Sequence, residues 1–130
     1  MTLLFFFRWV AHFCCQIDEY HFRPPNDEFD AATYTNHSCD GNVGWVDDGT
    51  RMVAIRDIQS GEEITFDYAT SEVRDYGFEV CLCGSEKCRK TLTYDDWKLP
   101  EVQAAYKGYF MSFIQDRIDK MGSMSNKEKE

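Results

Sequence analysis

Apolar and polar positions follow two different rhythms along the chain. Between Asn42 and Phe66 they change over in short runs, and from Pro100 onward apolar residues recur at three- and four-residue steps. The first rhythm predicts strands over Asn42–Val46 and Arg51–Arg56, joined through Asp47-Asp48-Gly49-Thr50 as a hairpin turn. In the second strand Met52, Ala54 and Arg56 alternate with Val53, Ile55 and Asp57. A turn at Gln59-Ser60-Gly61-Glu62 then leads into a third short strand, Ile64-Thr65-Phe66. Upstream, residues 16–35 read as a short strand followed by a loop broken at Pro24-Pro25 and Asn26-Asp27. Residues 71–80 form a polar connection. The second rhythm predicts a helix that Pro100 opens and Gly122 ends. Its stripe of Val102, Ala105, Tyr106, Tyr109, Phe110, Phe113, Ile114, Ile118 and Met121 is a core or docking face. The charged tail over residues 123–130 is expected to be disordered.

The apolar opening, MTLLFFFRWVAHFCC, is interrupted by Arg8 and His12 and is shorter than the ~20 apolar residues of a membrane span. It has neither a positive leading segment nor a clear cleavage site, which argues against a secretory signal. A buried strand or an ill-defined start of the reading frame remain for it.

Composition sharpens the class. A chain of 130 residues suits one small domain, and ten Phe, seven Tyr and three Trp supply the side chains for a core. The formal net charge of −9 argues against nucleic acid or an anionic membrane as the main partner, because both need a positive surface. It is compatible with a basic, lysine-rich peptide substrate, and equally with solubility alone.

Six cysteines would allow three disulfides, but their spacing points elsewhere. Cys81, Cys83 and Cys88 form C-x-C-x4-C around Gly84, and Cys39 stands far upstream. Three clustered thiols and a distant fourth fit four-coordinate zinc better than pairwise bridges, and imply a reducing compartment. Cys14 and Cys15 read as buried free thiols. The segment Asn36-His37-Ser38-Cys39 taken alone admits a metal site, a cysteine nucleophile or a cofactor-binding turn. The nucleophile lacks a third group beside His37 and Cys39. Glu62-Glu63 reads as a solvated turn rather than a carboxylate pair for acid–base work.

Taken in order, NHSC (36–39), VAIRDIQSGEEITFDY (53–68) and C-x-C-G-x3-C (81–88) resemble the C-terminal half of a SET domain followed by a post-SET zinc motif. SET domains are protein-lysine methyltransferases that use S-adenosylmethionine. The resemblance implies a mainly β, partial SET-domain fold of short strands with pseudoknot-like threading of NHSC and the strand ending at Tyr68. A zinc-bound post-SET turn and a C-terminal α-helix complete it. The corresponding domain map is SET C-terminal half over 33–69, post-SET motif over 77–93, helix over 99–122, and 1–32 unassigned or part of a SET region. By the same resemblance Asn36 and His37 contact the methyl donor, and Tyr68 is catalytic. Phe66 sits where phenylalanine or tyrosine tunes the number of methyls added. Cys39, Cys81, Cys83 and Cys88 bind one structural Zn2+, and Arg89 follows the last ligand as in the family. The implied partner is a lysine-containing protein, with a histone tail as default, and neither nucleic acid nor membrane.

The chemistry suits these residue types. A lysine ammonium, with a pKa of about 10.4 in water, cannot attack a methyl group until it loses its proton. A low-dielectric aromatic channel disfavours the charged form. A tyrosine hydroxyl then aligns the amine for in-line displacement.

Two departures from the family qualify the reading. No G-x-G segment precedes residue 33, so a partial domain is expected. Its alternative function is a catalytically incomplete, SET-derived zinc-binding interaction module, or an enzyme completed by another chain. Gly41 stands where the family usually has proline, and is expected to loosen that turn modestly.

Overall fold

In the computed structural model, residues 15–24, 31–74 and 79–127 are described. The apolar opening through Cys14 and the tail from Glu128 lie outside them. Among the described residues six short strands form three two-stranded sheets, so the fold is the mainly β arrangement expected, with α-helices confined to the C-terminal part. β1 (Cys15–Gln16) pairs antiparallel with β2 (Phe22–Arg23). β3 (Asn36–His37) pairs parallel with β6 (Thr65–Phe66), and β4 (Val43–Val46) pairs antiparallel with β5 (Arg51–Ala54).

The hairpin falls where alternation placed it, in the register Val46↔Arg51 to Val43↔Ala54. Its loop holds because Asp47 and Asp48 both take positive φ, 50° and 58°, a region that aspartate tolerates better than most residues. The ladder runs one step past the strands through Ile55 N–H to Asn42 O (3.0 Å). Asn42, fully buried, then binds the next segment: its Oδ1 accepts Thr65 N–H (3.0 Å) and its Nδ2 donates to Glu63 O (2.8 Å). One side chain thereby joins the hairpin to β6.

The C-terminal segment differs from the single helix expected over 99–122. It is two helices, α1 (Pro100–Ala105) and α2 (Ser112–Lys127). Between them the backbone turns through Gly108 at φ 84°, a conformation glycine adopts without steric cost. Tertiary hydrogen bonds replace the helical ones there: Tyr109 O accepts Trp45 N–H (3.2 Å) and Met111 N–H donates to Thr70 O (2.9 Å). The apolar spacing survives the break because both halves face the same core. Val102, Tyr106, Phe110, Met111, Phe113 and Ile114 are buried against Val43, Trp45, Phe66 and Trp97. At about 1.5–3 kcal/mol for each large apolar side chain removed from water, this cluster is the main stabilising term among the described residues. Ala105 is exposed, and α2 continues through Gly122 to Lys127, taking in the start of the expected disordered tail. Arg117 of α2 pairs with Glu19 beside β1, joining the N-terminal hairpin to the helix.

Candidate functional site

Pairing of β3 with β6 lays two distant motifs side by side. Asn36 sits opposite Thr65 and His37 opposite Phe66. Ser38 N–H donates to Phe66 O (3.0 Å) and Asn42 N–H to Thr65 O (2.9 Å), which extends the contact along the whole NHSC segment. A cleft of about 470 Å3 opens beside this seam. Asn36, His37 and Tyr68 line it, together with Glu62, Glu63 and the Cys81–Cys83 segment.

Each expected site residue has a definite place. Asn36 donates from Nδ2 to Glu63 Oε1 (2.7 Å), so its amide is oriented by a carboxylate on the cleft wall. His37 accepts Tyr68 N–H at Nδ1 (3.1 Å), which leaves the proton on Nε2, 3.4 Å from Cys39 Sγ. Burial lowers its pKa against the pull of Asp67, so the ring is neutral at neutral pH. Tyr68 donates its hydroxyl to Thr35 O (3.2 Å) and packs edge-on against His37, with ring centroids 5.2 Å apart. Burial, with Cys15 and Glu72 adding to it, pushes this hydroxyl up to about 12, so it is a hydrogen-bond donor and not a base. Phe66 does not line the cleft. It is buried between Trp45 (5.3 Å) and Tyr68 (4.9 Å), directly behind the tyrosine ring.

The four cysteines converge across the chain. The sulfurs of Cys39, Cys81, Cys83 and Cys88 all lie within 4.8 Å of one another, and Cys39 Sγ is 3.8 Å from Cys81 Sγ. A tetrahedron with metal–sulfur bonds of about 2.3 Å has edges of about 3.8 Å, so the donor set fits four-coordinate zinc. Electrostatics agree. Burial pushes the Cys39 thiol far up, so its thiolate needs a cation beside it. Burial opposes ionisation of Cys83 too, but the backbone N–H groups of Cys39 and Ser85 and its two neighbouring thiols bring it down to about 6. Outside the sulfurs, Val80 bridges Thr91, and Lys87 pairs with Asp40 (2.7 Å) across to the NHSC turn. Cys15, expected as a buried free thiol, is half-buried. Cys14 lies outside the described residues.

Several site residues were not singled out by motif reading. Glu62 and Glu63, expected as a solvated turn, line the cleft. Hydrogen bonding from Arg56, Gln59 N–H and Asn42 holds the Glu62 carboxyl down at about 2. Their position just ahead of the strand that carries Phe66 was the available signal. Arg89 was noted only as following the last cysteine, yet its guanidinium grips Asp67 with both terminal nitrogens (2.6 and 2.8 Å) and Asp96 through Nε (2.8 Å). Burial opposes that charge, and the Asp67 pair outweighs it, so Arg89 stays protonated.

Gly41 has a different meaning from the one expected. A Cβ there would stand 2.7 Å from Phe66 Cα, so the close approach of the two motifs needs glycine. Its N–H donates to the buried Tyr106 hydroxyl (2.9 Å), a bond proline cannot make. In this chain α1's end, through Tyr106, holds the turn that proline stiffens elsewhere. Gly41→Pro is therefore expected to destabilise the fold by about 2–4 kcal/mol, from overpacking plus the lost hydrogen bond. A drop in the urea midpoint at unchanged slope reads this out, and a midpoint at or above wild type refutes it.

The SET domain family model matches residues 4–69, half of the chain, and the chain belongs to that family. The match reaches upstream of Thr33 into the segment that the motifs left unassigned. Among curated proteins, a probable histone-lysine N-methyltransferase of Caenorhabditis elegans is 39% identical over 66 residues, covering 45% of this chain and 27% of that protein. An H3 lysine-9 specific histone-lysine N-methyltransferase of Fusarium mangiferae is 40% identical over 77 residues, 45% of this chain and 22% of its own length. One of the same specificity from Arabidopsis thaliana is 40% identical over 75 residues, 45% of this chain and 11% of its own length. The chain thus spans about a quarter or less of these curated relatives. No solved structure gives a significant match.

Proposed function

We propose that the chain carries the catalytic seam of an S-adenosylmethionine-dependent protein-lysine N-methyltransferase. The observation that carries this is the parallel pairing of Asn36–His37 with Thr65–Phe66, the strand just ahead of the Tyr68 turn, which sets Asn36, His37 and Tyr68 around one cleft. A cleft of this size falls within the range of about 300–1,000 Å3 for small-molecule sites, and its acidic pair suits a cationic donor. S-adenosylmethionine, when bound, supplies an electrophilic methyl on its sulfonium. Asn36 and His37 form the donor wall. Tyr68, kept protonated, orients the incoming amine, while its ring and the aromatic wall behind it exclude water and favour the neutral form of lysine. Cys39, Cys81, Cys83 and Cys88 hold one structural Zn2+, which clamps the post-SET turn against this wall. The acidic net charge suits a basic substrate segment such as a histone tail, four thiolate ligands suit a reducing compartment, and the names of the relatives suit the nucleus within that class.

Calorimetric titration of the zinc-loaded chain with S-adenosylmethionine tests the reading, followed by label transfer to a lysine-rich tail peptide. Saturable binding with methyl transfer supports it. Zinc loading without donor binding overturns it in favour of a zinc-bearing interaction module. Phe66→Tyr gives a finer test. A hydroxyl added behind the Tyr68 ring presses that ring toward the cleft and takes up room there, so products are expected to shift from trimethyl- toward monomethyl-lysine in mass spectra. An unchanged product distribution would leave Phe66 as a core ring alone.

A further inference from the structure

We infer that Arg89 is a positioning residue through which the metal-bearing turn holds the Tyr68 turn in place. The catalytic half of this statement rests on the function proposed above, and the structural half does not.

Arg89 belongs to both sites. Its backbone N–H donates to Cys39 Sγ (3.4 Å), and it directly follows the fourth cysteine. Its side chain leaves the sulfurs and forks onto Asp67, the residue before Tyr68. The Asp67 side chain is fully buried. With one oxygen it also accepts Ala69 N–H (3.0 Å) and so caps the single 3-10 turn Tyr68–Thr70. Every amide of that turn is engaged: Tyr68 to His37, Ala69 to Asp67, and Thr70, Ser71 and Glu72 to backbone carbonyls of Asp67 and Tyr68. A buried carboxylate demands a cation, and among the described residues Arg89 is the cation that forks onto it. The second acid, Asp96, fixes the same guanidinium from the far side and is itself held by Thr93 Oγ1 (2.8 Å).

The backbone of Arg89 is held by the cysteine cluster, through its N–H to Cys39 Sγ. The interior of its turn is small, with Cys39, Cys81 and Leu92 as its buried members. Loss of the metal removes the main internal tie of that turn, frees the guanidinium, and leaves Asp67 without its partner. Lysine cannot take over. Its ammonium is a compact point charge without the planar fork that here grips Asp67 through two nitrogens and Asp96 through a third.

Hydrogen exchange on the protein alone, with and without zinc, reads this without any donor or activity. In wild type, removing zinc is expected to speed exchange of the 68–72 amides about tenfold or more, while the buried face of α2 keeps its protection. Arg89→Lys should bind zinc and keep α2 protected, yet show fast exchange at 68–72 whether zinc is present or absent. If Arg89→Lys fails to fold, the pair Asp67→Asn with Arg89→Gln removes both charges together and should give the same pattern. The inference is overturned if the variant keeps the zinc-dependent protection of wild type. It is equally overturned if zinc leaves 68–72 unaffected, or if zinc removal exposes α2 to the same degree. Absent donor binding with the expected exchange pattern would sink the proposed function and leave the coupling intact.

Discussion

A chelator that strips the metal from Cys39, Cys81, Cys83 and Cys88 is expected to abolish both donor binding and methyl transfer, and zinc should restore them. Two features make this the largest effect. Cys39 and Cys81 are 42 positions apart, so one ion closes a long stretch of chain onto the NHSC turn. Metal binding of about 10–16 kcal/mol, typical of structural zinc in small modules, exceeds what the small cluster of Cys39, Cys81 and Leu92 offers in its absence. The loss is also local to function. The Cys81–Cys83 segment lines the cleft, and His37 Nε2 faces the Cys39 sulfur, so the cleft wall and the cysteine cluster share one piece of backbone. Metal content and S-adenosylmethionine titration, measured on the same samples, should fall together. Metal-free protein with full activity would refute the clamp.

Tyr68→Phe is expected to lower the rate of methyl transfer about a hundredfold or more, with little change in donor affinity or fold. The variant keeps the ring contacts to His37 and Phe66, and loses one hydroxyl and its bond to Thr35 O. Removing that single hydrogen bond costs about 1 kcal/mol of stability. The rate effect is larger because, in the proposed function, the hydroxyl aligns the reacting amine, and misplacement by about 1 Å costs roughly two powers of ten. Single-turnover kinetics beside a thermal melt separate the two. A rate within a few-fold of wild type would make Tyr68 a core aromatic and no more. The hydroxyl, held at about 12, carries its proton across the working range, so the loss should be the same at pH 7 and pH 9.

The cysteine set was legible because thiolate ligands leave a composition and spacing signal that survives without coordinates. The hairpin over 43–54 was legible for a similar reason, since alternation and an Asp-Asp-Gly turn are local. The helix break was not. Pro100–Met121 keeps an apolar period straight through Gly108, and what stops the helix is a pair of hydrogen bonds to Trp45 and Thr70, more than thirty positions away. Gly41 misled for the same cause: compared with proline it reads as a looser turn, whereas it answers the Phe66 backbone pressed against it. Arg89 looked like a residue trailing a motif, and its partners Asp67 and Asp96 carry no signature beyond being acidic.

By itself, then, the order of residues determined the family, the four-cysteine set and the 43–54 hairpin, because each depends on residue type and near spacing. Only the tertiary structure decided what couples them. The parallel seam of β3 and β6, the glycine contact it requires, the Tyr106 hydroxyl beneath it and the Arg89 fork onto Asp67 all join segments remote in sequence. Close packing and the need to satisfy every buried polar group select such partners, and both act on distances in space that sequence spacing does not encode.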